Sequence, residues 1–223
     1  MNLPERIMLD QSVISNFVTT FGPLFAIANP FGAVPIFLGL VPAQQRRKQA
    51  LLIGITVLVV LILSLLAGEG IFNFFGINFG VLRIAGGLLI FKIGWQMASV
   101  NDSLVESQQR LAQTPDGTNA IVPIAIPLIS GPGAISVVIS QAHAASEWTA
   151  YVGSSIAIIL LSIVVWFCLF WSGKISKKLG STGIEALERI FGFIALAIAL
   201  EMFSNGLFGV LRNYGPEVIK LLS

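Results

Sequence analysis

Residues 25–37 read Phe25-Ala26-Ile27-Ala28-Asn29-Pro30-Phe31-Gly32-Ala33-Val34-Pro35-Ile36-Phe37. They lie in an uncharged run from Gln11 to Gln45. As one straight helix this run would measure roughly 50 Å, whereas the hydrocarbon core of a bilayer is about 30 Å thick. Pro30 and Pro35 lack the N–H group that a helix interior requires, and Gly32 tolerates backbone angles that other residues avoid. The stretch therefore predicts that a membrane helix is interrupted here.

A second interrupted apolar run lies in the other half of the chain. It reads Val122-Pro123-Ile124-Ala125-Ile126-Pro127-Leu128-Ile129-Ser130-Gly131-Pro132-Gly133-Ala134-Ile135-Ser136. Each run alone is open to a simpler interpretation, a proline kink that binds nothing. Two interrupted segments at corresponding places in two halves instead point to the binding site of a transporter.

The composition is that of a membrane protein. Of 223 residues, 55% are hydrophobic and 11% charged, with a mean hydropathy of +0.87, whereas an average soluble domain is about 25% charged. A net charge of +2 gives no indication of nucleic-acid binding. The lone Cys168 excludes an internal disulfide, and the lone His143, expected in a loop, offers no metal cluster. No cofactor is expected. Glu5, Arg6 and Asp10 precede the first apolar run, so a cleaved signal peptide is not expected either.

Six apolar segments predict an all-α membrane protein with six transmembrane helices. In the first, a helix ends near Ala28, the chain bends at Asn29–Gly32, and a half-helix continues to Leu40. The predicted spans are about Val13–Leu40, Ala50–Ala67, Phe79–Ala98, Asn119–Ala142, Ala150–Trp171 and Gly183–Gly206.

Basic residues predict the orientation, because Lys and Arg concentrate in cytoplasmic loops. With the N-terminus outside, the loops after spans 1, 3 and 5 hold seven basic residues: Arg46, Arg47, Lys48, Arg110, Lys174, Lys177 and Lys178. The tails and the remaining loops hold three, Arg6, Arg212 and Lys220. We therefore expect a multi-pass protein of the bacterial inner (plasma) membrane with both termini outside the cytoplasm.

The two halves resemble each other. Arg83-Ile84-Ala85-Gly86 in span 3 matches Arg189-Ile190-Phe191-Gly192 in span 6, and the two interrupted runs correspond. The predicted units are residues 11–99 and residues 119–212, joined by a polar linker, residues 100–118. Because three spans are an odd number, a tandem copy enters the membrane the other way up. The pattern predicts a 3+3 inverted repeat with discontinuous spans 1 and 4.

Interrupted helices create binding groups. Irregular backbone persists at membrane depth only where protein or a watery cavity surrounds it. The free N–H groups of a half-helix attract a carboxylate, and free carbonyl groups suit an ammonium group. Two facing interruptions would therefore hold a small zwitterion. Asn29 and Ser130 are candidates for this site, with the alternative that they bond neighbouring helices.

Few charged residues fall within spans 3 and 6: Arg83, Lys92, Glu185, Glu188, Arg189 and Glu201. Arg83 and Glu201 are expected to pair near the outer face, with Arg189 and Gln96 as the symmetry-related pair near the inner face. Lys92 is expected to reach Glu185 or Glu188. These groups either fix helix registry or take part in coupling or gating, with Glu201 as the carrier of a coupling proton.

Small residues form two further faces, which predict close helix packing and no chemistry. They are Gly86, Gly87 and Gly94 in span 3, and Gly192, Ala195 and Ala199 in span 6.

Four ordered motifs resemble those of the MarC family of inner-membrane proteins. They are Ala28-Asn29-Pro30-x-Gly32-x-x-Pro35-x-Phe37, Leu82-Arg83-Ile84-Ala85-Gly86-Gly87, Pro123 to Pro127 with Gly131-Pro132-Gly133-Ala134-Ile135, and Gly183-Ile184 with Arg189-Ile190 and Gly192. The resemblance implies a transporter of small neutral amino acids such as glycine and alanine, coupled to a proton gradient. It also implies which residues surround the substrate: Asn29, Pro30, Gly32, Ser130, Gly131 and Gly133. Ser130 stands where some members carry alanine.

Two other functions compete with transport. A channel for a small solute or ion should show a polar or charged ring along a continuous path, and the sequence indicates none. A membrane enzyme would need paired carboxylates, a His/Cys cluster or an activated nucleophile within the spans, and these are absent from the sequence pattern. We therefore do not expect an enzyme.

Overall fold

The computed structural model describes residues 3–99, 124–144 and 148–222. Within these ranges every regular element is a helix. The predicted linker, residues 100–118, lies outside them. The helices are α1 Leu3–Ala28, α2 Ala33–Leu40, α3 Arg46–Phe74, α4 Phe79–Ala98, a π-helical segment Ile124–Ile129, α5 Pro132–Ala144, α6 Trp148–Phe170 and α7 Ser172–Leu222.

Four of these helices are long and apolar enough to cross a membrane: α3, α4, α6 and the Ser172–Arg212 part of α7. A bent pair of helices also qualifies: the Gln11–Ala28 part of α1 together with α2. The two are bent by 49° and form either one broken span or a re-entrant loop. By length and composition the described residues thus contain four helices that could span a membrane, or five if the bent pair is one span. The expected span Asn119–Ala142 begins outside the described residues, and its described part consists of two short helices.

Some helix boundaries agree with the sequence and others do not. Helix α4 has its predicted bounds. The connection predicted after Ala67 is wrong, because α3 continues as helix to Phe74. The lysine-rich loop predicted before span 6 is also wrong, because α7 already begins at Ser172 and is kinked at Gly180, where φ is 66°. His143, expected in a loop, lies in the last turn of α5.

The helices connect two opposite ends of the bundle, which we name the Arg46 face and the Glu69 face after the two ends of α3. On the Glu69 face, His143 Nδ1 lies 3.3 Å from Glu69 Oε1. On the Arg46 face, the Arg47 guanidinium lies 5.5 Å from the centre of the Phe170 ring. The Phe79 ring at the start of α4 stacks on His143, and Phe170 is the last residue of α6. Helices α4 and α6 therefore both run from the Glu69 face to the Arg46 face.

Helices α4 and α7 pack closely through small residues on both sides. A Cβ atom added to Gly80 would lie 3.0 Å from the carbonyl oxygen of Gly206, and one added to Gly94 would lie 2.9 Å from that of Gly192. Between these pairs, a Cβ atom on Gly87 would lie 2.8 Å from the carbonyl oxygen of Ala199. The contact residues recur every seven positions on each antiparallel helix, which is about two turns. The predicted small-residue packing is confirmed.

Candidate functional site

The first interruption is organised by Asn29. Its backbone has φ of 38°, a left-handed conformation that asparagine tolerates better than most residues. Its side-chain Oδ1 accepts the Gly32 N–H at 3.2 Å, and its carbonyl oxygen accepts the Ala33 N–H at 3.3 Å. Pro35 has no N–H for the Phe31 carbonyl, which instead accepts from Val34 at 3.1 Å. Local bonds therefore replace the helical ones that the interruption removes.

The second interruption lies between the π-helical segment and α5. The Ser130 N–H donates to the Ala125 carbonyl at 2.8 Å, and the Gly131 carbonyl accepts from Ile135 at 3.1 Å. Ser130 is fully buried, and its hydroxyl finds no hydrogen-bond partner among the residues that the structure describes. An unpaired buried hydroxyl costs about 1–3 kcal/mol. This hydroxyl is consequently a group that a ligand could satisfy.

The two interruptions come close to each other in the core. A Cβ atom on Gly133 would lie 3.1 Å from Ile90 and 3.6 Å from Ile27, which precedes Asn29 by two residues. Ile27 and Ile129, which flank the two interruptions, belong to one cluster of buried side chains. All six residues expected around the substrate are buried: Asn29, Pro30, Gly32, Ser130, Gly131 and Gly133.

Glu188 was not predicted at this site. A Cβ atom on Gly32 would lie 2.5 Å from the Oε1 atom of Glu188, so this half-buried carboxylate reaches the first interruption. Lys92, expected to reach Glu185 or Glu188, pairs with neither of them and is exposed. The available sequence signal was the position of Glu188, directly before the repeated Arg-Ile-x-Gly motif.

Three phenylalanine rings pack beside the first interruption. The Phe191 ring stacks on Phe31 with centroids 6.1 Å apart, and it meets Phe25 edge-on at 5.3 Å. Phe191 directly precedes Gly192, which contacts Gly94 near the Arg46 end of α4. These rings, which we call the Phe191 cluster, therefore join α1 to α7 beside the interruption.

A cavity of about 390 Å³ lies in the half of the bundle nearest the Glu69 face. Pro23 forms part of one wall. It lies inside α1 and, lacking an N–H group, cannot donate a hydrogen bond to the Thr19 carbonyl. The Gln141 amide of α5 donates to that carbonyl instead, at 2.8 Å. The cavity is also lined by Arg83 and Glu201.

The expected ion pair between Arg83 and Glu201 is not formed. Arg83 Nε donates to the Ser140 hydroxyl at 2.7 Å, and Nη2 donates to the Ser140 carbonyl oxygen at 3.4 Å. Among the side chains that the structure describes, one acid–base pair lies within ion-pair distance, Glu69 with His143. Arg83 and Glu201 thus share a cavity without neutralising each other directly.

The symmetry-related pair shows no direct bond either. Arg189 is exposed and Gln96 is half-buried, and no hydrogen bond between them is present in the described part of the chain. In that same part, no three His, Cys, Asp or Glu residues lie close enough together to hold a metal ion.

Comparisons with known proteins relate the chain to integral membrane proteins. The family model described as MarC family integral membrane protein matches residues 14–211, which include both interruptions and the cavity. A UPF0056 membrane protein of Pyrococcus abyssi is 39% identical over 200 residues, covering 88% of this chain and 96% of the relative. A UPF0056 membrane protein of Buchnera aphidicola is 35% identical over 203 residues, covering 90% of this chain and 94% of the relative.

A third relative carries a more specific name. The UPF0056 inner membrane protein MarC of Salmonella typhimurium is 32% identical over 206 residues, covering 86% of this chain and 93% of the relative. No solved structure matches the chain significantly. With a matching family model across most of its length and such relatives along nearly all of it, the chain belongs to the MarC family of integral membrane proteins.

Proposed function

We propose that this protein is a secondary transporter of small neutral amino acids, such as glycine and alanine, and that it holds the substrate between its two helix interruptions. One observation carries the proposal: the interruptions approach each other in the core, and the buried Ser130 hydroxyl beside them has no partner among the described residues. A substrate carboxylate would accept hydrogen bonds from this hydroxyl and from backbone N–H groups.

The surroundings of the interruptions favour a small ligand. Gly32, Gly131 and Gly133 contribute no side chains, and Ala28 and Ala33 contribute only methyl groups. All of these residues are buried. Larger amino acids would have to displace packed residues, and overpacking a filled site is unfavourable. This supports glycine and alanine over larger substrates.

The proposed architecture has six spans in a 3+3 inverted repeat, with discontinuous spans 1 and 4. In this repeat α3 of the first half corresponds to α6 of the second half, and α4 corresponds to α7. Each of these helices packs against its counterpart. The contact of α1 with α6 is mirrored by that of α5 with α3, and the contact of α4 with α5 by that of α7 with α1 and α2. Such exchangeable contacts support a two-fold relation between the halves.

The proposed orientation places the Arg46 face in the cytoplasm and both termini outside. Basic residues support it, because Arg46, Arg47 and Lys48 lie at that end of α3, and Lys174 lies close to the ring of Trp171 at the adjoining end of α7. Cytoplasmic ends of membrane helices carry such an excess of Lys and Arg.

Alternating access is the proposed mechanism, and two features support it. A cavity lies in the half of the bundle nearest the Glu69 face, and the Phe191 cluster packs beside the first interruption. We propose that the cluster separates during the transport cycle while the cavity closes. A channel would instead need a continuous polar path, and the aromatic packing favours the transporter.

Proton coupling is part of the same proposal. Glu201 in the cavity is one candidate carrier of the proton, and Glu188 beside Gly32 is a second. A carboxylate at the first interruption would change charge next to the substrate. This proximity favours Glu188.

Uptake by the purified full chain in proteoliposomes tests the proposal. We expect saturable uptake of labelled glycine and counterflow, in which unlabelled glycine inside the vesicle drives transient accumulation of label. Uptake proportional to concentration without counterflow would identify a channel. Vesicles that take up neither glycine nor alanine would refute transport of small neutral amino acids.

A further inference from the structure

The cavity near the Glu69 face contains one cation and one anion that are not paired with each other. Arg83 comes from α4 and Glu201 from α7, and both line the same space of about 390 Å³. Opposite charges at membrane depth normally pair because an isolated charge is expensive there. Two charged groups that share a cavity without an ion pair are suited to a ligand that carries both complementary charges.

Arg83 is fixed with part of its binding capacity unused. Its Nε and Nη2 atoms each donate one hydrogen bond to Ser140, to the hydroxyl and to the carbonyl oxygen. A guanidinium group has five N–H donors, so three make no hydrogen bond to the residues that the structure describes and are available to a ligand. A guanidinium held in this way presents a planar edge that matches a carboxylate with two parallel hydrogen bonds.

Glu201 provides the complementary group. Its carboxylate shares the cavity lining with the neutral polar side chain of Asn205, one helical turn further along α7. An ammonium group donates hydrogen bonds, and the carboxylate oxygens of Glu201 can accept them. An inorganic anion or a simple cation would satisfy only one of the two charged residues and would be repelled by the other.

We propose that this cavity is a second binding site, for zwitterionic α-amino acids, in which Arg83 binds the carboxylate and Glu201 binds the ammonium group. The site rests on the proposed transport function and lies apart from the helix interruptions. Val137 and Met202 line it together with the polar groups, and both are buried. It is the site that the substrate occupies on the Glu69 side before entering or after leaving the core.

The size of the cavity makes this site less selective than the interruptions. At about 390 Å³ it falls in the range of pockets that hold much larger ligands than glycine. Recognition therefore depends on the two charged poles of the amino acid, and the apolar lining accommodates different side chains. Leucine should bind here about as well as glycine, although it should not be transported.

Protection of an introduced cysteine tests the site directly. The full chain carries Cys168→Ser to remove its native cysteine and Asn205→Cys as a reporter, and it is placed in lipid nanodiscs so that both faces are accessible. The rate of maleimide modification is measured with glycine, with glycinamide, which lacks the carboxylate, and with acetate, which lacks the ammonium group. We expect glycine to protect position 205 at concentrations about tenfold lower than either analogue requires.

A matched control lies on the same face outside the cavity. Gly70 is exposed, and a Cβ atom there would meet nothing within 4 Å. Gly70→Cys should react equally fast with and without glycine. If Asn205→Cys does not give a monodisperse protein, Thr19→Cys provides a second reporter, because Thr19 also lines the cavity.

Two substitutions assign the poles. Arg83→Gln should raise the half-protecting concentration of glycine about tenfold and leave that of glycinamide unchanged. Glu201→Gln should also raise the half-protecting concentration of glycine, but it should leave that of acetate unchanged. Equal protection by all three compounds, or glycine protection unaffected by both substitutions, would overturn the site.

Uptake by the unsubstituted chain separates this inference from the proposed function. Glycine uptake without protection of position 205 overturns the second site and leaves the transporter standing. Protection with the expected pole dependence but without uptake supports the site and refutes transport. The absence of both refutes both.

Discussion

The side chains of Asn29 and Glu188 meet at Gly32. A Cβ atom on this glycine would lie 2.5 Å from Glu188 Oε1 and closer still to the Asn29 amide nitrogen. A residue at the end of α1 and one in the middle of α7 thus share the space that a missing side chain leaves at the first interruption. The contact joins the predicted substrate site to a carboxylate that the sequence did not place there.

Gly32→Ala should therefore reduce glycine uptake at least tenfold while the protein still inserts into the membrane. The added methyl group must displace the Asn29 or Glu188 side chain, because it would overlap both. Gly39→Ala is the matched control, since α2 offers open space at this position, and it should transport normally. Initial rates in proteoliposomes at equal protein content provide the measurement. Normal uptake by Gly32→Ala would move the substrate elsewhere.

Ser130→Ala should separate stability from binding. Removing a buried hydroxyl that has no partner among the described residues removes a desolvation cost of about 1–3 kcal/mol, so the ligand-free protein should melt at the same or a higher temperature. The stabilisation by glycine should shrink, because the substrate loses a donor. Thermal unfolding with and without glycine measures both effects.

Ser162→Ala serves as the comparison for that experiment. The Ser162 hydroxyl is buried but donates to the Ile158 carbonyl at 2.8 Å. Its removal should leave the shift that glycine produces unchanged. A Ser130→Ala protein with the full glycine shift would show that this hydroxyl does not contact the substrate.

Glu188→Gln should uncouple transport from the proton gradient. The substitution keeps the size of the side chain and removes the titrating group, so accumulation driven by a pH gradient should be lost while exchange of labelled for unlabelled glycine continues. Glu185→Gln, at an exposed position one turn earlier on α7, should keep both activities. If Glu201→Gln abolishes accumulation and Glu188→Gln does not, the proton is carried in the cavity.

Gly94→Val should destabilise the pair α4 and α7. A Cβ atom at this position already lies 2.9 Å from the Gly192 carbonyl oxygen and from the Leu196 backbone nitrogen, and backbone atoms cannot rotate away. Overpacking of this kind costs about 1–3 kcal/mol. Gly22→Val, where a Cβ atom would meet nothing within 4 Å, should change the melting temperature much less. Equal losses in both variants would contradict close packing as the cause.

Features that depend on neighbouring residues were predictable. The bounds of α4 agree with the sequence, because its start is set locally by Asn78, whose side chain accepts the Gly80 N–H at 2.7 Å. The bend after Ala28 has a local cause too, the paired prolines and Gly32. The predicted end of span 2 at Ala67 was wrong, because the helix continues through Glu69 and Gly70 to Phe74.

Contacts between distant segments were not predictable from pattern alone. Charge complementarity suggested that Arg83 would pair with Glu201, but the guanidinium donates to Ser140 of α5. Which partner an arginine reaches depends on how three helices approach one another, and a long flexible side chain has several partners within range.

By itself the sequence determined that this is a helical membrane protein of the MarC family, with two interrupted apolar runs and a glycine-lined helix pair, because hydropathy, proline and glycine act within a few residues. Only the tertiary structure decided that Glu188 and the Phe191 cluster lie at the first interruption and that Arg83 and Glu201 share a cavity without pairing. Those relationships join residues more than a hundred positions apart, and their geometry is set by the packing of whole helices.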